Sequence, residues 1–396
     1  MVVQQGQRLR LKLVGYTPLG DALAFLGEKP VHVLGGIAGE EVEVEVVRER
    51  RDYVAARVVE VLEPSLYRVR PPCPYFGECT GCQWQHMAYE HQLELKREVV
   101  AQALRTAGLS DAPVASTSPA AQQYGYRNHA RFTVRWGGHL GFVHRESRRF
   151  VSIDECLLMD AAINQAVRQL QGRCAETRQV SVRYGVRTGS LLIQPSLRNP
   201  EVPLPSGQKQ SWEQLGGVSF RVSASSFFQV NTVQAERLVD LVREALGLSG
   251  REEVVDAYAG VGTFAALLAP LASRVLAIEE AAAAVKDARE NLAPFRNVEI
   301  IESKTEAALA ALSPPVDAVV LDPPRAGCSP EALSALLRLS PTRVVYVSCD
   351  PETLARDLGV LVEGGYRLEK VQPMDMFPQT HHVECVTSLR HERPKG

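Results

Sequence analysis

The chain has no apolar run long enough to cross a membrane, and its first residues include no apolar stretch of signal-peptide length. Aromatic residues make up only 6% of the 396 residues, and charged residues make up 23%. A GxGxxG fingerprint, a P-loop lysine, internal repeats and low-complexity tracts are also missing. These absences argue against a membrane protein or a nucleoside triphosphatase, and they predict a cytoplasmic globular protein of two or three domains.

Positive charge is concentrated in one part of the chain, although the net charge is only −2. From Ala121 to Ser190 there are 11 arginines and no lysine against 5 acidic residues. The residues that follow Arg251 carry an acidic excess instead. Such a local basic excess suits contact with nucleic-acid phosphates, or it simply solvates one face of the protein.

Apolar periodicity divides the chain into parts of different fold class. Residues 7–63 alternate apolar and polar side chains in short runs, which predicts a small β-barrel of the OB type. A helix is predicted over 90–108, and residues 121–222 return to strands. Beyond residue 234 strands and helices alternate, which predicts an α/β, doubly wound, Rossmann-like domain. The predicted domains are 1–64 for the barrel, 65–89 with 120–222 for a β-rich central domain, and 90–119 with 223–396 for the α/β domain.

A glycine turn at the start of the α/β region predicts a nucleoside pocket. In "DAYAGVGTF", Gly260 and Gly262 let the backbone pass close to a ligand. Glu279 closes the next strand and is placed to bond ribose hydroxyls. An acidic rim of Asp256, Glu279 and Asp322 suits the cationic sulfur of S-adenosylmethionine, whereas a glycine turn alone would also fit simple packing.

A rigid Asp-Pro-Pro step follows the strand "VDAVVLDPPR" and begins at Asp322. Several nucleic-acid methyltransferases bind a planar base at such a step. Enzymes that methylate adenine amino groups usually have an aromatic residue next, but here the next residue is Arg325. The sequence therefore argues against methylation of an amino nitrogen.

Cys349 lies where a strand ends, in "VVYVSCDPETLARD". The Asp-Pro that follows stops the strand at the edge where the cofactor is expected, and the next helix would favour a thiolate. Methylation of uracil carbon 5 needs a thiol that adds to carbon 6 and a base that later removes the carbon 5 proton. Glu384 opens the last strand after "FPQTHHV" and is the favoured base, with His381 and His382 as alternatives.

Taken together, these motifs resemble the RNA uracil-5-methyltransferase family. The matching stretches are "SFFQVN", "DAYAGVGTF", "LDPPRAG", "VVYVSCDPETLARD" and "FPQTHHVE", in family order. The resemblance implies that Cys349 is the nucleophile and Glu384 the base. It also implies that S-adenosylmethionine is bound by Gln229, Tyr258, Glu279 and Asp322. Two residues depart from the family pattern: Asp350 stands where Asn is common, and Thr263 stands where Asn often follows the glycine turn.

Four cysteines form a candidate ligand set: Cys73, Cys79 and Cys82 in "CPYFGECTGC", and the distant Cys156. Reduced thiols so close together indicate ligation rather than disulfides, and their spacing allows either zinc or an iron–sulfur cluster. The resemblance to the ribosomal-RNA branch of the family implies a structural 4Fe–4S cluster. Cys174, Cys328 and Cys385 are interpreted as packing residues.

RNA is the expected partner. The N-terminal barrel resembles a TRAM domain, an RNA-holding module. The Arg-rich segments 47–53 and 142–150 are expected to contact phosphates, and Phe132, Trp136 and Phe142 are candidates to stack on unpaired bases. The resemblance implies a monomeric RNA 5-methyluridine methyltransferase, with 23S ribosomal RNA favoured as the substrate over transfer RNA.

Three other functions stay open at this point. A non-catalytic RNA-binding protein could keep the fold, although Cys349 and Glu384 are both present. A DNA cytosine carbon 5 methyltransferase normally has its nucleophile directly after proline, whereas Pro351 comes after Cys349 here. A redox protein would use the cluster itself.

Overall fold

A computed structural model describes residues 3–391, whose strands form four sheets. The first sheet contains β1 (Arg8–Lys12), β2 (Gly15–Tyr16), β3 (Ala22–Leu26), β4 (Lys29–Leu34), β5 (Glu41–Glu49) and β6 (Val54–Glu63), in the order β1-β5-β6-β4-β3-β2. Val42, Val44 and Val46 of β5 are fully buried, which confirms the predicted period of two. The OB-type assignment of this sheet stays a prediction.

Helix α1 (Tyr89–Thr106) forms where a helix was predicted and packs on the α/β part of the chain. The second sheet follows it and contains β7 (His129–Arg135), β8 (His139–Val143), β9 (Phe150–Ser152), β10 (Gln179–Tyr184) and β11 (Leu191–Gln194). The strands are antiparallel in the order β11-β10-β7-β8-β9. Helix α2 (Ala161–Leu170) packs Ile163, Val167 and Leu170 into the core of this sheet.

The α/β part begins after a two-stranded sheet of β12 (Gln210–Leu215) and β13 (Val218–Ser223). Its elements are α3 (Thr232–Leu246), β14 (Glu253–Ala257), α4 (Thr263–Leu268), β15 (Arg274–Glu279), α5 (Ala282–Leu292), β16 (Val298–Glu302), α6 (Thr305–Ala311), β17 (Ala318–Leu321), α7 (Pro330–Leu339), β18 (Arg343–Ser348), α8 (Pro351–Glu363), β19 (Tyr366–Met374) and β20 (Glu384–His391).

Seven of these strands form one sheet in the order β16-β15-β14-β17-β18-β20-β19. Strand β20 runs opposite to the other six strands, and it lies between β18 and β19. Successive residues such as Val254 and Val255 belong to different cores, one built with α3, α4 and α5 and the other with α1, α6, α7 and α8. The predicted doubly wound α/β fold is confirmed, and its last strand returns into the sheet. No helix of residues 3–391 is long and apolar enough to span a membrane.

Candidate active site

The carboxyl ends of four parallel strands place the predicted site residues along one edge of the large sheet. Tyr258 follows β14, Glu279 ends β15, Asp322 follows β17 and Cys349 follows β18. The strand order reverses direction between β14 and β17. The strands that follow β14 in the chain, β15 and β16, lie on one side of it, and β17 lies on the other side. A sheet of this kind binds its ligand in the crevice at such a switch point.

The antiparallel pairing of β20 with β18 brings Cys349 and Glu384 together. Val347 pairs with Val386, and Ser348 pairs with Cys385. One further step along this register sets Cys349 opposite Glu384. Because Glu384 begins β20, it enters the sheet at the edge where β18 ends, although 35 positions separate the two residues in the sequence.

The turn after Cys349 stops β18 as predicted. The Asp350 carboxylate caps α8 by accepting hydrogen bonds from the backbone N–H groups of Glu352 (3.1 Å) and Thr353 (3.0 Å). Pro351 occupies the first turn of α8. An asparagine could accept the same bonds, so this departure from the family pattern preserves the cap.

Burial governs the protonation of the Cys349 thiol. The thiol pKa is raised to about 11, first by burial and then by the neighbouring Glu384, while Arg325 opposes both effects. The helix N-terminus alone would favour the thiolate, but with a pKa of about 11 the thiol is neutral at pH 7. Arg325 is the neighbouring group that favours the thiolate.

Glu384 is a buried carboxyl group, with 5% of its surface exposed. Burial raises its pKa well above the ordinary value, nearby Asp322 raises it further, and Arg325 lowers it. Arg325 interacts with Cys349 as well, although sequence reasoning did not place it in the site. The signal that could have found it was its position directly after the Asp-Pro-Pro step.

The two alternative bases, His381 and His382, are much less basic than an ordinary histidine. Their rings lie 4.0 Å apart. Burial lowers the pKa of His381 to about 3 and that of His382 to about 4, and nearby cations add to the effect. His381 Nδ1 also lies 3.2 Å from the Gln83 Oε1 atom, so the ring is held by the chain next to Cys82.

The loop that leads to Glu384 is fixed to α1. Lys96 and Asp375 form a fully buried ion pair, and Lys96 Nζ also donates to the Phe377 carbonyl (3.1 Å). The Gln92 side chain donates to Gln379 Oε1 (3.0 Å) and accepts from the Gln379 backbone N–H (3.1 Å). These bonds give the loop a defined path into β20.

Three acidic groups lie at the cofactor side of the crevice. Glu279 accepts hydrogen bonds from the backbone N–H groups of Gly260 and Ala281, both at 2.8 Å. Burial raises the pKa of Asp322 to about 7, and burial with the charges of Asp322 and Glu279 raises that of Asp256 to about 8. Asp256 Oδ1 is buried without a hydrogen-bond partner among residues 3–391. This rim suits a cationic ligand, whose charge would stabilise the carboxylates.

The glycine turn has the strained backbone of a binding loop. Tyr258 has a φ of +67°, an unusual value for a residue with a side chain. Gly262 has a φ of +87°, and a Cβ atom there would lie 2.9 Å from Leu292. Gln229 is half-buried just before α3, where its carbonyl accepts from the Asn128 side chain (3.1 Å).

All four candidate ligand cysteines line one cavity of about 380 Å³: Cys73, Cys79, Cys82 and Cys156. The Cys79 N–H donates to the Tyr75 carbonyl (2.7 Å), and the Cys156 N–H donates to the Asn164 side chain (2.9 Å). Within residues 3–391, no three His, Cys, Asp or Glu side chains are placed to hold a single metal ion. The other three cysteines outside the catalytic crevice, Cys174, Cys328 and Cys385, are buried.

The aromatic candidates for base stacking divide into core and surface residues. Phe132 is fully buried, so its prediction as a stacking residue is wrong, whereas Phe142 is half-buried and packs against the same core. Their side chains point to the face of the second sheet that α2 covers. Trp136 is 69% exposed, and its ring is edge-on to Phe150 with centroids 4.9 Å apart.

The two Arg-rich segments meet each other in the fold. Buried Glu146 accepts hydrogen bonds from Arg50 (3.3 Å) and from the Tyr53 hydroxyl (3.1 Å). This contact neutralises part of the charge of segment 47–53 and joins the first sheet to the second. Arg148 lies exposed in the other segment.

A doubly wound sheet with an acidic carboxyl edge, and a thiol opposite a carboxyl group, define the class of S-adenosylmethionine-dependent methyltransferases. The model of the tRNA (Uracil-5-)-methyltransferase family matches residues 215–392. An RNA methyltransferase of Synechocystis sp. is 33% identical over 98% of this chain and 96% of its own length. One of Gloeobacter violaceus is 34% identical over 97% of each chain.

A solved structure is similar along nearly the whole chain. It is the Pyrococcus abyssi tRNA (uracil-54, C5)-methyltransferase in complex with S-adenosyl-L-homocysteine, at 26% identity and a TM-score of 0.77. The match covers 96% of this chain and 100% of that one. The chain belongs to the RNA uracil-5-methyltransferase family and is an RNA methyltransferase that uses S-adenosylmethionine.

Proposed function

We propose that this enzyme methylates carbon 5 of uridine in RNA through a transient bond between Cys349 and carbon 6. The observation that carries the proposal is the strand register that sets Cys349 opposite Glu384, beside Asp322 and Arg325. Gln229, Tyr258, Glu279 and Asp322 would hold S-adenosylmethionine, which supplies a methyl group on a positively charged sulfur.

The residues divide the reaction between them. Cys349 Sγ bonds to carbon 6, and the electron pair of the ring double bond moves towards carbon 5 and the carbonyl oxygen. Arg325 favours the thiolate that this step needs. After carbon 5 has received its methyl group, Glu384 removes the carbon 5 proton. The double bond then forms again as the bond between Cys349 and carbon 6 breaks.

Ribosomal RNA of the large subunit (23S) is the favoured substrate, because the cysteine cavity fits the branch of the family that acts on it. Transfer RNA is the second candidate, and it is favoured by the whole-length similarity to the Pyrococcus tRNA enzyme. The protein is incubated with labelled S-adenosylmethionine and, in separate reactions, with purified 23S RNA or purified transfer RNA. Labelled 5-methyluridine should form in the 23S RNA. Label in transfer RNA alone would reverse the choice, and label in another nucleoside would refute the proposed reaction.

Protonation of the acidic rim gives a test of the cofactor site. The pKa values of Asp322 (about 7) and Asp256 (about 8) are raised, so around pH 7 the first is partly protonated and the second mostly protonated. A cationic ligand lowers these pKa values and releases protons, whereas a neutral ligand does not. Calorimetry in buffers of different ionisation enthalpy should show proton release on binding of S-adenosylmethionine and less on binding of S-adenosylhomocysteine. Equal release for both ligands would contradict this arrangement.

The cysteine cavity is the candidate site of a 4Fe–4S cluster, with zinc as the alternative. A tetrahedral zinc site with bonds of about 2.3 Å holds its sulfur ligands about 3.8 Å apart. The sulfurs around a cluster bind separate irons and lie farther apart. All four cysteines line one cavity, and the resemblance to the ribosomal-RNA branch of the family favours a cluster over zinc there. The ligands would be Cys73, Cys79, Cys82 and Cys156, and the role of the cluster is structural.

Loss of one cluster ligand should remove the colour and loosen the central domain. The Cys82→Ala protein is expected to lack the broad visible absorbance of a cluster and to contain little iron by elemental analysis. The matched variant Cys174→Ala removes a buried thiol from the same domain and should keep both. A wild-type protein purified without oxygen that contains stoichiometric zinc and no iron would refute the cluster.

Separate cores support the three predicted domains. The first sheet encloses its own apolar cluster, and the second sheet with α2 encloses another. We assign the first, residues 1–64, to a TRAM-like RNA-binding module. The central domain is assigned to 65–89 with 120–222, and the catalytic domain to 90–119 with 223–396.

Trp136 is the stacking residue that this arrangement favours for the central domain. Trp136 directly follows strand β7, on which Arg131 and Arg135 are exposed. Neither arginine has a carboxylate partner among residues 3–391. Trp136→Ala is expected to weaken RNA binding by about tenfold, because stacking on a base contributes about 1–3 kcal/mol. The exposed Trp212, on another sheet, provides the matched control Trp212→Ala. Equal affinities of both variants and wild type in a filter-binding titration would contradict the assignment.

A further inference from the structure

Asp357 is a buried carboxylate of α8 that the reaction steps above do not use. None of its surface is exposed. Its Oδ2 atom accepts hydrogen bonds from the Tyr346 hydroxyl (2.6 Å) and from the Cys328 backbone N–H (2.7 Å). Its Oδ1 atom accepts from Arg356 Nε (2.8 Å). Loss of this two-oxygen acceptor would leave buried donors without partners.

The bond to Tyr346 holds the segment that carries the nucleophile. Tyr346 is fully buried in β18, three residues before Cys349. Helix α8 begins two residues after Cys349 and brings Asp357 back over the strand about two turns later. A single hydrogen bond therefore fixes the strand before Cys349 to the helix after it. Tyr346 is also paired with Leu321, the residue before Asp322.

The bond to Cys328 holds the turn that follows Asp322. Gly327 lies between them with a φ of +77°, and a Cβ atom there would lie 2.6 Å from Asp357 Oδ2. The turn thus passes so close to the carboxylate that no side chain fits between them. The Cys328 thiol also interacts with the hydroxyl group of Tyr258, in the cofactor turn after β14.

Two further side chains of α8 fasten the same turn. Thr353 Oγ1 donates to the Arg325 carbonyl (3.1 Å), and Arg356 Nη2 donates to the Ala326 carbonyl (2.9 Å). The Arg356 guanidinium is itself oriented by its ion pair with Asp357 (2.7 Å). Helix α8, which follows Cys349, therefore positions the backbone of Arg325. The side chain of Arg325 in turn acts on Cys349.

We propose that Asp357 is a positioning residue that sets the distance between Cys349 and the Asp322–Arg325 turn. It acts through Tyr346, Cys328 and Arg356 and touches neither substrate. A misplacement of about 1 Å between reacting groups can lower a rate by about 10²-fold. The inference rests on the proposed function, because its readout is the rate of bond formation at Cys349.

The test compares two substitutions on the same helix. Asp357→Asn keeps the size of the side chain and turns an N–H₂ group towards buried donors. Glu363→Gln makes the same chemical change at an exposed position near the end of α8. For each, the rate of covalent attachment to RNA containing 5-fluorouridine is measured with saturating S-adenosylmethionine, together with kcat, KM for both substrates and the melting temperature.

The Asp357→Asn protein is expected to attach to RNA at least about 30-fold more slowly and to lose kcat by the same factor, with both KM values within about threefold of wild type. Glu363→Gln should react as wild type does. A lower melting temperature with an unchanged attachment rate per folded molecule would show a structural role only and overturn the inference.

A milder variant keeps the test decisive if Asp357→Asn does not fold. Tyr346→Phe removes one donor and leaves the bonds from Cys328 and Arg356 in place. It should slow attachment about tenfold, and a wild-type rate would overturn the inference. Wild-type protein that makes no 5-methyluridine would refute the proposed function itself, whereas an active wild type beside an equally active variant refutes the positioning role alone.

Discussion

Cys349→Ala is expected to abolish methylation of RNA, with a loss of at least about 10³-fold in kcat/KM. Carbon 5 of uracil is a poor nucleophile, and alanine cannot form the bond to carbon 6 that activates it. The measurement is the transfer of a labelled methyl group to RNA. Because the thiol is not assigned to cofactor binding, the affinity for S-adenosylmethionine should stay within about threefold of wild type.

The matched control for this substitution is Cys174→Ala, which removes a fully buried thiol that is distant from Cys349 in the sequence. It should methylate RNA at the wild-type rate. The iron content of Cys349→Ala should also equal that of wild type, because the cavity of the four other cysteines does not include Cys349. Retained methylation by Cys349→Ala would eliminate the covalent mechanism.

Glu384→Gln is expected to stall the enzyme after methyl transfer. Glutamine is close in size but cannot accept the carbon 5 proton, so the methylated ring stays bonded to Cys349. Denaturing electrophoresis with ordinary RNA should show a long-lived protein–RNA adduct, and turnover should fall by about 10²–10⁴-fold. Wild-type enzyme under the same conditions should show little adduct.

The two histidines before Glu384 provide the contrast. His381→Gln and His382→Gln remove the alternative bases, whose pKa values of about 3 and about 4 make them weak proton acceptors. Both variants should still release methylated RNA. A stalled adduct in His382→Gln, together with normal turnover of Glu384→Gln, would transfer the role of base to the histidine.

Much of the fold could be predicted because its two kinds of strand have different sequence patterns. Strands buried on one face, such as β5, alternate valine with glutamate, and the parallel strands of the large sheet are continuous apolar runs. Polar residues that end such runs, including Asp322 and Cys349, indicate the ligand edge from the amino-acid sequence alone. The return of β20 beside β18, which brings in Glu384, leaves no signal in the apolar periodicity and is seen in the strand register.

Properties that depend on tertiary packing could not be predicted. Phe132 and Trp136 are four residues apart in one hairpin, and only the position of α2 decides that the first is core and the second is surface. The raised pKa of the Cys349 thiol results first from burial, which depends on the surrounding fold. Asp357 looks like an ordinary helix residue until Tyr346 and Cys328 are seen to converge on it.

The most direct measurement is mass spectrometry of the enzyme after reaction with RNA that contains 5-fluorouridine. Fluorine at carbon 5 cannot leave as a proton does, so the covalent adduct cannot break down. The peptide that contains Cys349 should carry the methylated fluorouridine nucleotide. An adduct on any other residue, or no adduct from an enzyme that methylates ordinary RNA, would contradict the proposed mechanism.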